Sequence, residues 1–163
     1  MIQLLKAICS CNGEPIINNQ NDIAKVLLED EDSRTFLMMP VRMKNDGKVD
    51  VLMDSTRQDG QGNWMCLSLY RKFKRKTYGY FLSLIDLTAE LCLGRNRKAL
   101  DTLQEMYSFD IVKNVIKNRE LPYEMRALFM RILLHMHMDR EPLERSEERR
   151  VGKECRSRWS PYH

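Results

Sequence analysis

Residues Leu121 to Pro142, LPYEMRALFMRILLHMHMDREP, restrict the possible folds more than any other stretch. On a helical wheel Leu121, Met125, Leu128, Phe129, Ile132 and Met136 fall on one apolar stripe. Met130, Leu134 and Met138 form a second strip, and Glu124, Arg131 and His135 draw a narrow polar line between the two. Pro122 suits the first helical position, where a missing N–H has no bond to lose. A helix with apolar residues on two sides has to be covered on two sides. This one is therefore expected as an inner helix of a stack, with two or more neighbours.

The same spacing recurs upstream in shorter runs. Leu82, Ile85, Ala89 and Cys92 predict a helix closed by Gly94 as its C-terminal cap. Lys98 to Tyr107 predicts a second, and Ser108 a cap for a third that carries Ile111, Val112, Val115 and Ile116. Connections of a few residues between successive helices imply an antiparallel stack. No repeat of fixed period is present, so a solenoid follows from packing demand alone. Near the N-terminus, Ile2, Leu4, Leu5, Ile8 and Cys9 predict a helix within residues 2–11, ended by Gly13 and Pro15. Asn18 and Asn19 are expected to cap a helix over Gln20–Glu29, with Ile23, Val26 and Leu27 on one face.

Between these helical regions the period changes. Residues 35–56 read as two short strands around a turn containing Asp46-Gly47, with Val49, Val51 and Met53 alternating with polar residues. Pro40 marks an edge or broken strand. A loop is expected at 57–63, and Trp64 opens a half-apolar segment that runs to Leu69. The expected fold class is mainly α: armadillo-like stacked helices, an α-solenoid, with a small β-hairpin insertion at about 35–69.

The 163 residues suffice for one ordinary domain. No apolar run reaches the roughly 20 residues of a membrane helix. The opening MIQLLKAICSC is interrupted by Lys6 and reads neither as a signal peptide nor as a span. Cys9, Cys11, Cys66, Cys92 and Cys155 are odd in number and irregular in spacing, which favours reduced thiols in a cytosolic setting. The net charge of +4 comes largely from the last nineteen residues, RSEERRVGKECRSRWSPYH, with six Arg or Lys and three Glu. Taking six from 27 basic residues and three from 23 acidic ones leaves 21 against 20. This string resembles the in-frame translation of a DNA-sequencing adapter. Residues 145–163 are accordingly expected to be a foreign, disordered tail on a helical region of residues 1–144. Glu144 is then not a natural end, Met1 is open to being an internal methionine, and overall basicity gives no argument for nucleic acid or membrane.

Few residues suggest chemistry. The acidic run at 29–34, EDEDSR, lacks the alternating ligands, central Gly and distal Glu of an EF-hand loop and reads as a solvated turn. Arg71, Lys72, Lys74, Arg75 and Lys76 interleave with Tyr70, Phe73, Tyr78 and Tyr80, a pattern open to RNA, anionic lipid or inositol phosphate. No nucleic-acid module surrounds it, so a solvated helix face is the simpler reading and no nucleic-acid partner is expected. His135 and His137 stand about 200° apart on an α-helix, too far round to share a metal as residues three or four apart do. Cys9 and Cys11 lack a second ligand pair. No Gly-rich oxyanion loop accompanies any Cys and His. Catalytic, ligand-binding and metal-ligating residues are all assigned as none, no cofactor is expected, and the chain does not read as an enzyme. The eleven methionines fall mostly at core-spaced positions.

Three stretches carry a family resemblance. The run Leu121-Pro122-Tyr123-Glu124-Met125-Arg126-Ala127, continuing to Leu134-His135-Met136-His137-Met138-Asp139-Arg140-Glu141-Pro142, resembles a helical segment of the inositol trisphosphate receptors. These are calcium-release channels related to the ryanodine receptors. Cys9-Ser10-Cys11-Asn12-Gly13 before a helix ending in Leu27-Leu28 is similar to a turn in both branches. Cys92-Leu93-Gly94-Arg95 matches a third position, with Gly94 where the family has an acid. The resemblance covers residues 1–144, most densely 80–142. It implies an armadillo-like (RIH-type) domain just after the ligand-binding core, on the cytosolic side of a homotetrameric channel of the endoplasmic reticulum. Its partners would be other domains and subunits of that channel, and it would pass ligand binding on to the pore. Inositol trisphosphate and calcium would bind the full-length receptor rather than this segment. The alternatives are a stand-alone helical interaction scaffold, a ryanodine-type channel fragment, and a nucleic-acid or lipid binder using Arg71 to Lys76.

Overall fold

The structure, a computed structural model, describes residues 1–31, 34, 37–54, 62–73 and 75–139, with only the backbone of Asp54, Phe73 and Arg75. The tail expected at 145–163, the end of the Leu121–Pro142 stretch from Arg140 on, Lys74 and most of the 57–63 loop lie outside the described residues. Helix α1 (Ile2–Cys9) leads into a two-stranded hairpin, β1 (Ser10–Cys11) and β2 (Glu14–Pro15), followed by α2 (Ile17–Leu28). Strands β3 (Val41–Met43), β4 (Val49–Asp54) and β5 (Asn63–Cys66) form an antiparallel sheet in that order. Then come α3 (Leu67–Phe73), α4 (Arg75–Cys92), α5 (Arg97–Met106), α6 (Phe109–Lys117) and α7 (Tyr123–Ile132). A π-helical segment, Leu133–Met138, prolongs α7. The fold is mainly helical with small antiparallel sheets.

Several boundaries differ from the expectations. Asn18 and Asn19 lie inside α2, and the Asn19 amide donates to the Ile8 carbonyl at 2.8 Å instead of capping. Pro122 stands one position earlier than expected, at the N-cap of α7 with extended ψ 144. The expected β-hairpin gains a third strand, because Asn63–Cys66 pairs along β4 with Trp64 opposite Leu52. The turn after Cys11 closes through two left-handed residues, Asn12 (φ 52) and Gly13 (φ 81), as a two-residue hairpin requires.

The element around which the others pack is α4, not the helix that dominates the sequence. It touches α1, α2, α3, α5, α7 and the π-helical segment. Six consecutive residues, Leu87 to Cys92, are all buried, so its second half is covered on every side. Phe81, Leu84 and Ile85 extend this core toward Tyr70 of α3, whose ring meets Tyr78 and Phe81 edge-on at 5.9 and 5.7 Å. On the other side Tyr107 and Phe129 meet edge-on at 6.2 Å. The sheet closes against α6 and α3 and contributes Val41, Val49 and Val51 to the same core.

Candidate functional site

Helix α7 has three differently used faces. Met125, Phe129, Ile132 and Met136 are fully buried, Leu121 nearly so, and Leu128 partly, as their spacing predicts. The second strip points outward. Met130 is 53%, Leu134 50% and Met138 66% exposed, and Tyr123, at 81%, with exposed Ala127 continues the line toward the N-terminus. Positions 123, 127, 130, 134 and 138 make a stripe about four turns long, opposite the core face.

The polar line between these faces is occupied by partners. Tyr78 donates its hydroxyl to Glu124 Oε1 at 3.2 Å, and burial first, then the Glu124 charge, pushes the phenol up to about 12. Arg131 places one guanidinium nitrogen on Asp86 Oδ1 and another on Glu90 Oε1, both on α4. Lys6 of α1 reaches Asp86 Oδ2 at 2.5 Å. His135 is held below the ordinary imidazole range by burial and then by Arg131, against weaker opposing effects of Glu90 and Asp139. His137 has another role: Nε2 donates to the Tyr107 carbonyl at 3.0 Å and the ring meets Phe109 edge-on at 5.8 Å. The structure thus gives the two histidines separate surroundings.

The π-helical end is tied down as well. The Asp139 amide donates to the Leu134 carbonyl at 2.8 Å, five residues back, and the Gln104 side-chain amide donates to the Met136 carbonyl at 3.4 Å. Such a widened turn re-aims the residues beyond it. Here it directs Asp139 at Arg95, whose Nη2 lies 3.0 Å from Asp139 Oδ1 and whose Nε donates to the Asp139 carbonyl at 3.1 Å.

Arg95 belongs to the turn between α4 and α5, where both Gly94 (φ +72) and Arg95 (φ 62) are left-handed. A Cβ on Gly94 would meet Pro15 Cγ at 2.3 Å, so the β1–β2 hairpin packs directly onto this glycine. Local conformation and tertiary approach both demand glycine here. Pro15, just after the Cys9–Gly13 turn, and Asp139, at the end of the Leu121–Asp139 stretch, therefore both adjoin the Cys92–Arg95 turn at the C-terminal end of α4.

Arg71, Lys72 and Lys76 are exposed on α3 and α4, but Tyr70 and Tyr78 on either side of them are core residues, and the Tyr80 hydroxyl donates to the Leu37 carbonyl at 3.1 Å. Cys9 is buried, its thiol donating to the Leu5 carbonyl at 3.2 Å. Burial and then Glu90 push it up to about 11, while burial pushes Cys92 up to about 12. Among the described residues no three His, Cys, Asp or Glu side chains are grouped to hold a metal. No described helix is long and apolar enough to cross a membrane. An open groove of about 560 Å³ runs between α2 and α5, lined by Asp22, Lys25, Lys98 and Asp101 among others.

The residues that sequence reading misses are Lys6, Asp86 and Glu90. A signal was present: Asp86 and Glu90 stand four apart in the largely apolar run Phe81–Cys92, which holds no Lys or Arg, and carboxylates in such a position need cations.

No protein-family model matches the chain. Over 142 residues, 86% of its length, the chain is 26% identical to inositol 1,4,5-trisphosphate receptor-like protein A of Dictyostelium discoideum. The match supports a distant relationship to the inositol trisphosphate receptors. The chain spans about 4% of the length of that relative.

Proposed function

We propose that the chain is a segment of the cytosolic regulatory and coupling region of an inositol trisphosphate-gated calcium-release channel. In this reading it is part of an armadillo-like (RIH-type) stack that passes ligand binding toward the pore. The observation that carries the reading is the 142-residue similarity to a receptor-like protein many times longer. The outward stripe of Tyr123, Ala127, Met130, Leu134 and Met138 supports it, because a segment inside a longer stack needs a second apolar face for its next helix. Packed helices move as bodies across interfaces rather than bending continuously. A helix held by α4 on one side and by a neighbour on the other hands a displacement from one to the other. Inositol trisphosphate and calcium bind elsewhere in the full-length receptor, a homotetramer of the endoplasmic reticulum membrane with this segment on the cytosolic side.

The test is to extend the parent transcript in both directions from residues 80–142. A basic ligand-binding core upstream and a cluster of membrane helices downstream are the expected result. A frame that opens near Met1 and closes soon after His163 in genomic DNA would instead favour a helical interaction scaffold.

A further inference from the structure

The Asp86 carboxylate is divided between two other helices. Oδ2 takes Lys6 Nζ from α1, and Oδ1 takes Arg131 from α7. The second guanidinium nitrogen of Arg131 rests on Glu90 Oε1, one turn further along α4. Two cations thus face two carboxylates in a neutral cluster whose side chains are 10–36% exposed. Glu90 is also held from α2, its backbone carbonyl accepting the Gln20 side-chain amide at 2.8 Å.

Lys6 and Arg131 carry the same sign and meet on one carboxylate, Asp86, with Glu90 paired to Arg131 alone. Each therefore lowers the negative potential that the other feels, and they repel one another across Asp86. We propose that Asp86 is a contested seat: loosening α1 strengthens the hold of α4 on α7, and loosening α7 strengthens its hold on α1. This would make the pose of the outward stripe responsive to the position of α1. The proposal rests on the coupling reading for its purpose only, since the sharing is a property of this chain and is testable without a channel.

The experiment is a double-mutant cycle on the full 163-residue chain, read by denaturant unfolding. Arg131→Met is expected to raise the unfolding constant at least about threefold more in the Lys6→Met background than in the wild type. Lys6→Arg, which keeps the charge, is expected to restore the wild-type factor. Equal factors in the two backgrounds, or a smaller one beside Lys6→Met, would overturn the proposal. Should the double variant not fold, hydrogen exchange in Lys6→Met alone decides. Slower exchange of amides 132–139 relative to those of α5 is expected, and unchanged or faster exchange refutes it. If the parent frame proves to be no channel, these results stand unaltered.

Discussion

Helices α4 and α7 resemble each other in sequence and differ in what surrounds them. Both combine Leu, Ile and aromatic residues with a few charges. From Leu87 to Cys92, α4 is buried on every side, with Asp86 and Glu90 matched by cations from two other helices. In α7 the core face is as deeply buried, yet the opposite face leaves Met130, Leu134 and Met138 at least half exposed. An apolar pattern on two sides therefore states a demand for neighbours; whether this chain meets it depends on elements distant in sequence. In α4 the demand is met internally, and in α7 half of it is left over.

The contrast within α7 can be broken by paired truncations. Phe129→Ala is expected to destabilise the chain by about 3–5 kcal/mol, since it empties a site against Tyr107. Leu134→Ala, on the outward stripe, is expected to stay within about 0.5 kcal/mol. Denaturant midpoints of the two variants measure the difference, and similar losses would mean that the stripe is already covered. Next in size, Gly94→Ala is expected to cost about 2 kcal/mol, from a left-handed backbone and the clash with Pro15.

At the other end of α4, Gly79 is an exposed helical glycine with open space where a Cβ would stand. Gly79→Ala is expected to stabilise by about 0.5–1 kcal/mol, read as a higher melting temperature. The smallest effect concerns pH. His135 is depressed below its ordinary 6.5 by burial and Arg131, so the unfolded chain binds the proton more readily. Its contribution is complete above about pH 6.5 and fades as pH falls through the lower folded value. Exchanging His135 for Gln is expected to flatten stability against pH in that window.

Much of this was legible from spacing. Met125, Phe129, Ile132 and Met136 were readable as core because helical period is local. Alternation in β4 picked out Val49 and Val51 but not Asp50 and Leu52, which are buried too, Asp50 against Arg42 and Lys44 of β3 and the turn after it. The centrality of α4 was not legible, since its burial is supplied by helices at both ends of the chain. The cluster at Asp86 joins residues 45 and 80 positions apart, and nothing in the local pattern selects Lys6 or Arg131 as its cations. Gly94 was readable as a helix cap, but the approach of Pro15 that forbids any larger side chain is a tertiary fact. The outward stripe was visible as a pattern, and its exposure only in the structure.

The most direct test of the proposed coupling role uses the full-length parent protein with Met130→Glu and Leu134→Glu together. Both side chains are exposed in this chain, so the segment itself is expected to fold normally. Inositol trisphosphate binding is expected to be retained while ligand-evoked calcium release is lost, because the stripe no longer packs on its neighbour. Release that persists at the wild-type level, with binding intact, would contradict it.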